Sequence, residues 1–322
     1  MSPSSTVNSL KRILAIGGTG MQGKAVVAAL LARRDDGSPS PYSRVGILIC
    51  ASLDGCYGAF VNTDSFCVGE KDEIFAALKI YELAHRARVK HFIWSGLEYA
   101  SKLGNFDPKY YTVHYEAKGI VGEFLRSQPS SLVGDSLTWT IITIGPYLEN
   151  LEGMLLGPLP QRENGKVVWA TPVGDGHIPA VSIEDIAWWT CYALDHRFES
   201  SGQDFQIVTE YMTIDQLVET FTRVTGIPAV RKRVSMDEYL DVYKDYLKNP
   251  IVKEEKEDRA RPTIRETAAG LYSIWGDDLC VRDTDWVRRI HPTGYTLESF
   301  IKKKRINGEL LPSLAYRHAP KK

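Results

Sequence analysis

Seven residues near the start of the chain, Gly17-Gly18-Thr19-Gly20-Met21-Gln22-Gly23, have the types and spacing to bind an anion. Glycines let a backbone approach a ligand with no Cβ in the way, and the N–H groups that open a helix point at a phosphate. Counted from Gly18 the spacing is G-x-G-x-x-G; counted from Gly17 it is G-x-x-G-x-x-G. Either is a dinucleotide-binding turn if a strand precedes it and a helix follows. His114 and Lys118 stand four residues apart, so on a helix both would face one ligand. An imidazole titrates near neutrality and could shuttle a proton there, although a histidine at a helix start is also a common solvated residue. Thr63-Asp64-Ser65 and Ser95 end apolar runs, which is where parallel sheets bind ligands. They also read as ordinary polar strand-to-helix turns.

The elements that must position these groups follow from periodicity. Ile13 to Ile16 is an apolar strand and Ala25 to Ala32 a helix, so the glycine turn has the required context. Arg44 to Cys50 and Gly58 to Thr63 read as strands with only Ala51 to Tyr57 between them, too short for the helix that crosses over between paired parallel strands. Glu73 to Arg88 has helical spacing, His91 to Ser95 is a buried-strand run, His114 to Arg126 a helix and Leu137 to Ile144 a strand. Alternating strands and helices predict an α/β fold with a doubly wound parallel sheet. Beyond it, Leu151 to Ala180 is irregular, with a hairpin strand expected at Lys166 to Trp169. Long insertions at the carboxyl end of such a sheet shape substrate pockets. Ser182-x-x-Asp185 and Thr213-x-x-Gln216 predict helix starts, Gly226 a helix end, Asp204 to Val208 a strand, and Tyr295 to Lys304 a last amphipathic helix. The charge run Lys253 to Arg261 reads as a solvated face or linker.

Composition narrows the function classes. The chain has 322 residues, 43% hydrophobic and 25% charged, enough for one large or two modest domains. A formal net charge of -1 gives no bulk attraction to nucleic acid or an anionic membrane. The basic run Lys302 to Arg305 reads as a solvated helix end, with phosphate binding or nuclear targeting as the alternative. Five scattered cysteines, with no C-x-x-C pair and no metal-ligand spacing, predict a reducing compartment and no metal site. With no apolar run near 18 residues and no basic-then-apolar leader at Met1, a cytoplasmic protein is expected.

Four stretches together resemble one family: GGTGMQG at 17–23, VKHFIWSGLE at 89–98, HYEAKG at 114–119 and GPYLENL at 145–151, with VSIEDIA at 181–187 also fitting. They resemble the NmrA-like branch of the short-chain dehydrogenase superfamily. The resemblance implies a Rossmann-type domain over 1–150, with 181–212 returning to it, and a smaller mixed α/β C-terminal domain over 151–180 and 213–322. It implies NADP as cofactor, with NAD as the alternative, bound in the cleft between the two. Carried onto this sequence, it puts Gly17, Gly18, Thr19, Gly20, Met21, Gln22 and Gly23 at the pyrophosphate, and Thr63, Asp64 and Ser65 near the adenosine and ribose. Lys118 goes to the nicotinamide ribose, and Tyr147, Leu148, Glu149 and Asn150 to the nicotinamide end. In the wider superfamily the position of His114 is a tyrosine whose pKa the lysine lowers; here Tyr115 is one residue round the helix. The implied activity is an NADP-dependent oxidoreductase acting on a small organic, secondary-metabolic substrate, with His114 and Lys118 as catalytic candidates. The family's other behaviour, a non-catalytic redox sensor acting through a protein partner, is the alternative.

The sequence departs from the family in one region. A second strand ending in basic residues, then a helix and a third strand, are expected where only Arg44 to Tyr57 stands. The residues that would hold a 2′-phosphate are not identifiable, and only Arg33, Arg34 and Arg44 lie nearby. The family lysine of the next helix is also missing, with Leu78 at its place and Lys79 beside it.

Overall fold

The computed structural model describes residues 11–46, 53–134, 136–249 and 262–310. Strand β1, Lys11–Ile16, buries its last four residues and runs through the glycine turn into helix α1, Met21–Leu31. Strand β2, Tyr42–Gly46, returns parallel to β1. Strand β3, Gly58–Val61, pairs parallel with the other side of β1. The short helix α2, Ser65–Val68, and α3, Glu70–Arg86, lead to β4, His91–Gly96. One turn of helix, α4, Ala100–Leu103, precedes α5, Val113–Ser127, which leads to β5, Thr138–Thr143.

The six-stranded parallel sheet has the order β2-β1-β3-β4-β5-β8, in which β8 is Gln203–Gln206. This is the predicted doubly wound α/β fold, with one departure from the expectation at residues 44–57. The second strand lies two residues upstream of the Arg44 start, and residues 47–52 lie outside the described ones. Strands β2 and β3 are not paired with each other but flank β1, both parallel to it.

Alternation along the strands sends side chains to two cores. Ile13, Phe60, Ile93 and Ile142 face the side covered by α1 and by helix α6, Ile183–Asp195. Leu14, Ala59, Val61, Phe92, Trp94 and Ile141 face the side covered by α3 and α5. A period of two with both faces apolar is what a sheet buried on both sides requires.

The predicted cap at Ser182 forms: its side chain accepts from Asp185 N at the start of α6. After it come the single turn α7, Arg197–Ser200, and then β8. Thr213 and Gln216 make the predicted capping box of α8, Ile214–Thr225, which Gly226 ends at φ 72°. Two small sheets complete the carboxyl-terminal part. Strand β6, Val167–Trp169, pairs parallel with β10, Ala229–Arg231, and β7, Ile178–Ala180, pairs antiparallel with β9, Glu210–Met212. The strand expected at Lys166 to Trp169 forms as β6, but the hairpin goes no further than one antiparallel bridge between Glu163 and Lys166. The tight turn before it exists, with Asn164 and Gly165 at φ 50° and 78°, but β6 takes a partner from far along the chain. The β7–β9 pair also straddles the expected boundary at residue 180. Helices α9, Met236–Val242, and α10, Lys244–Leu247, precede the charge run at 253–261, which lies outside the described residues. Helices α11, Ile264–Gly276, α12, Thr284–Ile290, and α13, Leu297–Lys304, are the last among the described residues. Lys302 and Lys304 at the end of α13 pair with Glu298 and Glu184 on the exposed surface, which suits the solvated-helix-end reading. No helix among the described residues is long and apolar enough to cross a membrane.

Candidate functional site

The glycine turn sits where the sheet order reverses, between β1 and β3, with β2 on the far side of β1. Crevices at such switch points, beyond the carboxyl ends of the strands, are the ligand sites of open α/β sheets. Two of the turn's glycines are required by geometry. Gly17 has φ 79°, and a Cβ on it would stand 2.4 Å from the Asn62 carbonyl oxygen; one on Gly23 would stand 2.1 Å from Gly17 O. Gly20 differs, since the nearest atom to a Cβ there is Gly17 O at 3.3 Å. Thr19 and Gly20 are exposed, so this face of the turn is open. Met21 begins α1, and Gly18 is buried beneath the turn. The Gln22 side chain points inward: its Oε1 accepts from Ser95 Oγ at 2.9 Å, while its buried Nε2 has no partner.

Behind the turn lies a buried ionic cluster. Glu73, the fourth residue of α3, is fully buried. Its carboxylate accepts from Thr63 Oγ1 at 2.5 Å and from Ser65 Oγ, and pairs with Lys118 Nζ at 3.1 Å. Lys118 comes from α5 and donates further to Asn62 Oδ1 (3.1 Å), Thr63 O (3.0 Å) and Ser95 O (3.3 Å), with its ammonium 4.8 Å from the centre of the Trp94 ring. Asp64 stays exposed, accepting from Phe66 N as the N-cap of α2 and from the Cys67 thiol. The structure therefore gathers Thr63, Ser65 and Lys118 on one carboxylate that sequence reasoning missed. A signal was present: Glu73 falls on the stripe Ala77, Tyr81, Ala84 that α3 buries.

His114 shares the α5 face with Lys118, as the spacing predicts, and packs on the Phe66 ring at 4.9 Å. It was expected to titrate near neutrality. Instead burial, aided by the Lys118 charge, pushes its pKa down to about 3, and its enclosed Nδ1 has no partner. Tyr147 lies within electrostatic reach of Asp64, as His114 does, and burial raises the phenol further above its ordinary value. The segment carrying Tyr147 is pinned from behind, with Leu148 N donating to Val181 O and Asn150 N to Tyr147 O. Glu149 accepts from Ile183 N, and burial raises its pKa.

A second buried pair crosses to the carboxyl-terminal part. The Arg282 guanidinium meets Glu98, which follows β4, and donates to Ile207 O (3.2 Å) and Ile144 O (3.3 Å) at the ends of β8 and β5. Tyr115 points into this cluster, where burial and the Glu98 charge raise its pKa.

Arg33 and Arg34, two of the three arginines expected near a 2′-phosphate, are not at the turn. Arg33 and Arg34 follow the carboxyl end of α1 and line a cleft of about 400 Å³ with Tyr42, Cys191 and Asp195; Arg34 pairs with Asp195 at 3.0 Å. The eleven residues of α1 separate them from the turn by about 16 Å.

Comparison with known proteins places the chain among them. The sequence profile of the NmrA-like family matches residues 47–258, well over half of the chain. An NmrA-like family domain-containing oxidoreductase of Malbranchea aurantiaca is 26% identical over 273 residues, covering 72% of this chain and 78% of the relative. Among solved structures, a Citrobacter sp. triphenylmethane reductase complexed with NADP(H) superposes with TM-score 0.62 at 15% identity, over 91% of this chain and 99% of that one. An NADPH-dependent quinone oxidoreductase of Escherichia coli complexed with NADPH gives 0.64 at 14% identity, over 91% and 100%. The negative transcriptional regulator NmrA in complex with NAD gives 0.53 at 19% identity, over 93% and 99%. Matching profile, sheet order and glycine turn agree, and the chain belongs to the NmrA-like family.

Proposed function

We propose that this protein is an NAD(P)(H)-dependent oxidoreductase acting on a small organic substrate, one of secondary metabolism. The observation that carries the reading is the open face of the turn at Thr19 and Gly20, at the β1/β3 switch point and at the head of α1. A pyrophosphate fits there: the α1 amino terminus offers N–H donors and Gly20 presents no side chain. The names of the oxidoreductase and reductase relatives support the same class. We divide the chain accordingly into a nucleotide-binding part, 1–150 with 181–212, and a substrate part, 151–180 with 213–322.

In this reading Gly17 to Gly23 hold the pyrophosphate, Thr63 to Ser65 border the adenosine side, and Tyr147 to Asn150 border the nicotinamide. When bound, the nicotinamide supplies hydride transfer, and the protein supplies position and exclusion of water. His114, held neutral by burial, serves a substrate oxygen as a hydrogen-bond partner rather than as an imidazolium acid. Lys118 contributes to cofactor seating. A second reading, a redox sensor working through a protein partner, is favoured by histidine in place of the superfamily's tyrosine and by the likeness to the NmrA regulator.

Calorimetric titration with NADPH and NADH tests the binding. Consumption of NADPH against a panel of quinones and aromatic carbonyls then separates enzyme from sensor. Binding without turnover of any panel member selects the sensor, and no binding of either nucleotide overturns both readings.

A further inference from the structure

We infer that Tyr239, Tyr272 and Trp169 are positioning residues for one wall of the substrate site. Their aromatic donors hold three consecutive carbonyls and so fix a turn whose outer face, Met154 and Leu155, takes an uncharged, apolar part of the substrate. The inference rests on the proposed oxidoreductase reading and names residues that shape its substrate side.

The turn continues directly from the segment proposed to border the nicotinamide. One turn of 3-10 helix, Leu148–Glu152, leads to Gly153, and Gly157 N closes back on Gly153 O at 2.8 Å. A Cβ on Gly157 would stand 2.3 Å from that oxygen, so the closure needs glycine. Each carbonyl in between has an aromatic donor. Tyr239 Oη donates to Met154 O at 2.9 Å, Tyr272 Oη to Leu155 O at 2.9 Å, and Trp169 Nε1 to Leu156 O at 3.0 Å. These donors stand on α9, α11 and β6, and lie 85, 117 and 13 residues away in sequence.

The donors cannot follow a carbonyl that moves. Trp169, Tyr239 and Tyr272 are all 3% exposed or less, and the two tyrosine rings meet edge to face. Rings packed in a core are held by their neighbours, and a buried carbonyl that loses its donor is costly. Burial raises both phenol pKa values, so each phenol keeps its one proton and stays a donor. The path of the turn is therefore set by α9, α11 and β6. What it presents is set with it: Leu151 and Leu156 are buried, whereas Met154 and Leu155 between them are half-buried. A thioether and an isobutyl group offer no charge and no strong donor, which suits an apolar group. The other end of the segment is held by the nucleotide-binding part, with Leu148 N on Val181 O and Ile183 N on Glu149. Residues 147–157 thus run from one part to the other, with each end fixed by a different one.

The sequence has only five methionines, which makes a direct test practical. Protein labelled with carbon-13 in the methionine methyls, assigned by single Met→Leu changes, gives one NMR signal for Met21 in the glycine turn and one for Met154 on the wall. The ligands are NADP⁺ and then duroquinone, an uncharged quinone with no open ring position for a thiol to attack. With the oxidised cofactor no turnover interferes. The variants are Tyr239→Phe combined with Tyr272→Phe, which removes two hydroxyls and keeps both rings, and Met154→Ala, which leaves every carbonyl held.

In the parent, NADP⁺ should move the Met21 signal and duroquinone the Met154 signal. Both variants should bind NADP⁺ within about twofold of the parent and duroquinone roughly tenfold or more weakly. A general loss of structure would weaken both ligands together, so the split isolates positioning. Three results overturn the inference while a moved Met21 leaves the cofactor site standing: duroquinone that does not move Met154 in the parent, parental duroquinone affinity in either variant, or equal weakening of both ligands in the double tyrosine variant. Should that double variant not fold, Met154→Ala alone decides whether the wall meets the ligand, and each single Tyr→Phe change whether the hydroxyls set it. A Met21 signal unmoved by saturating NADP⁺ overturns the cofactor reading and the inference together.

Discussion

At the scale of single residues, burial decides how the charges in this protein behave. His91, fully buried in β4 between Thr138 and Thr140, has its pKa pushed down to about 3 by desolvation, with Arg197 adding to the shift; half-buried His114 is pushed to about the same value. Both remain neutral in the folded protein while an unfolded chain would protonate them near pH 6.5. Between pH 6.5 and 3 the unfolded state therefore binds more protons, and stability falls as pH falls through that window. The expected slope is up to about 1.4 kcal/mol per pH unit from His91, with less from His114. Urea melts of the parent and of His91→Gln from pH 7 to 4 check this: the variant's stability should depend less on pH, and parallel curves would contradict it. Lys118→Ala has a cost of its own, since it strands Glu73 as a buried unpaired carboxylate. A loss of about 3–5 kcal/mol is expected, and Lys118→Ala combined with Glu73→Gln should recover part of it in the same melts. The catalytic question at His114 was posed in the sequence by residue type and spacing, but its protonation was not. Only the walls around an imidazole, here Phe66 and the Lys118 charge, decide that.

At the scale of elements, the strand–turn–helix unit separates glycines needed to fold from a glycine proposed to face the cofactor. Gly23→Val would drive a Cβ to 2.1 Å from Gly17 O, whereas Gly20→Val meets the same oxygen at 3.3 Å and projects from the open face. Gly23→Val should therefore fail to yield folded protein. Gly20→Val should fold with a melting temperature within a few degrees of the parent and lose NADPH binding; folded Gly20→Val protein with parental affinity would refute the assignment of the turn. Most elements were legible as periodicity because each has one strong local cause: β1 and β4 as apolar runs, α8 as a capping box ending in Gly226. The short strands β7, β9 and β10 were not, and β6 was legible as a strand but its pairing with β10 was not. Three residues carry too little pattern, and their partners lie far away in sequence.

At the scale of the molecule, sheet order and one arginine set what the site can be. With β2 beside β1, a 2′-phosphate reader belongs just past Gly46, yet no lysine or arginine occurs between Arg44 and Lys71. Preference for NADPH over NADH should stay below a hundredfold, some 2.7 kcal/mol, and replacing Arg33 and Arg34 together should leave it unchanged by calorimetry. Arg282 joins the ends of β4, β5 and β8 to the carboxyl-terminal part. Arg282→Met, which strands Glu98, should cost about 3–5 kcal/mol in urea unfolding, and a loss below 1 kcal/mol would remove it as a link between the two parts. The glycine spacing and the alternation of strands and helices were determined by the sequence alone, because turn chemistry and periodicity act between near neighbours. The tertiary structure alone decided that β2 and β3 flank β1, that Glu73 answers Lys118, and that Arg282 meets Glu98. Each of those joins groups many residues apart, and a buried charge finds its partner through the packing of whole elements, which no local pattern records.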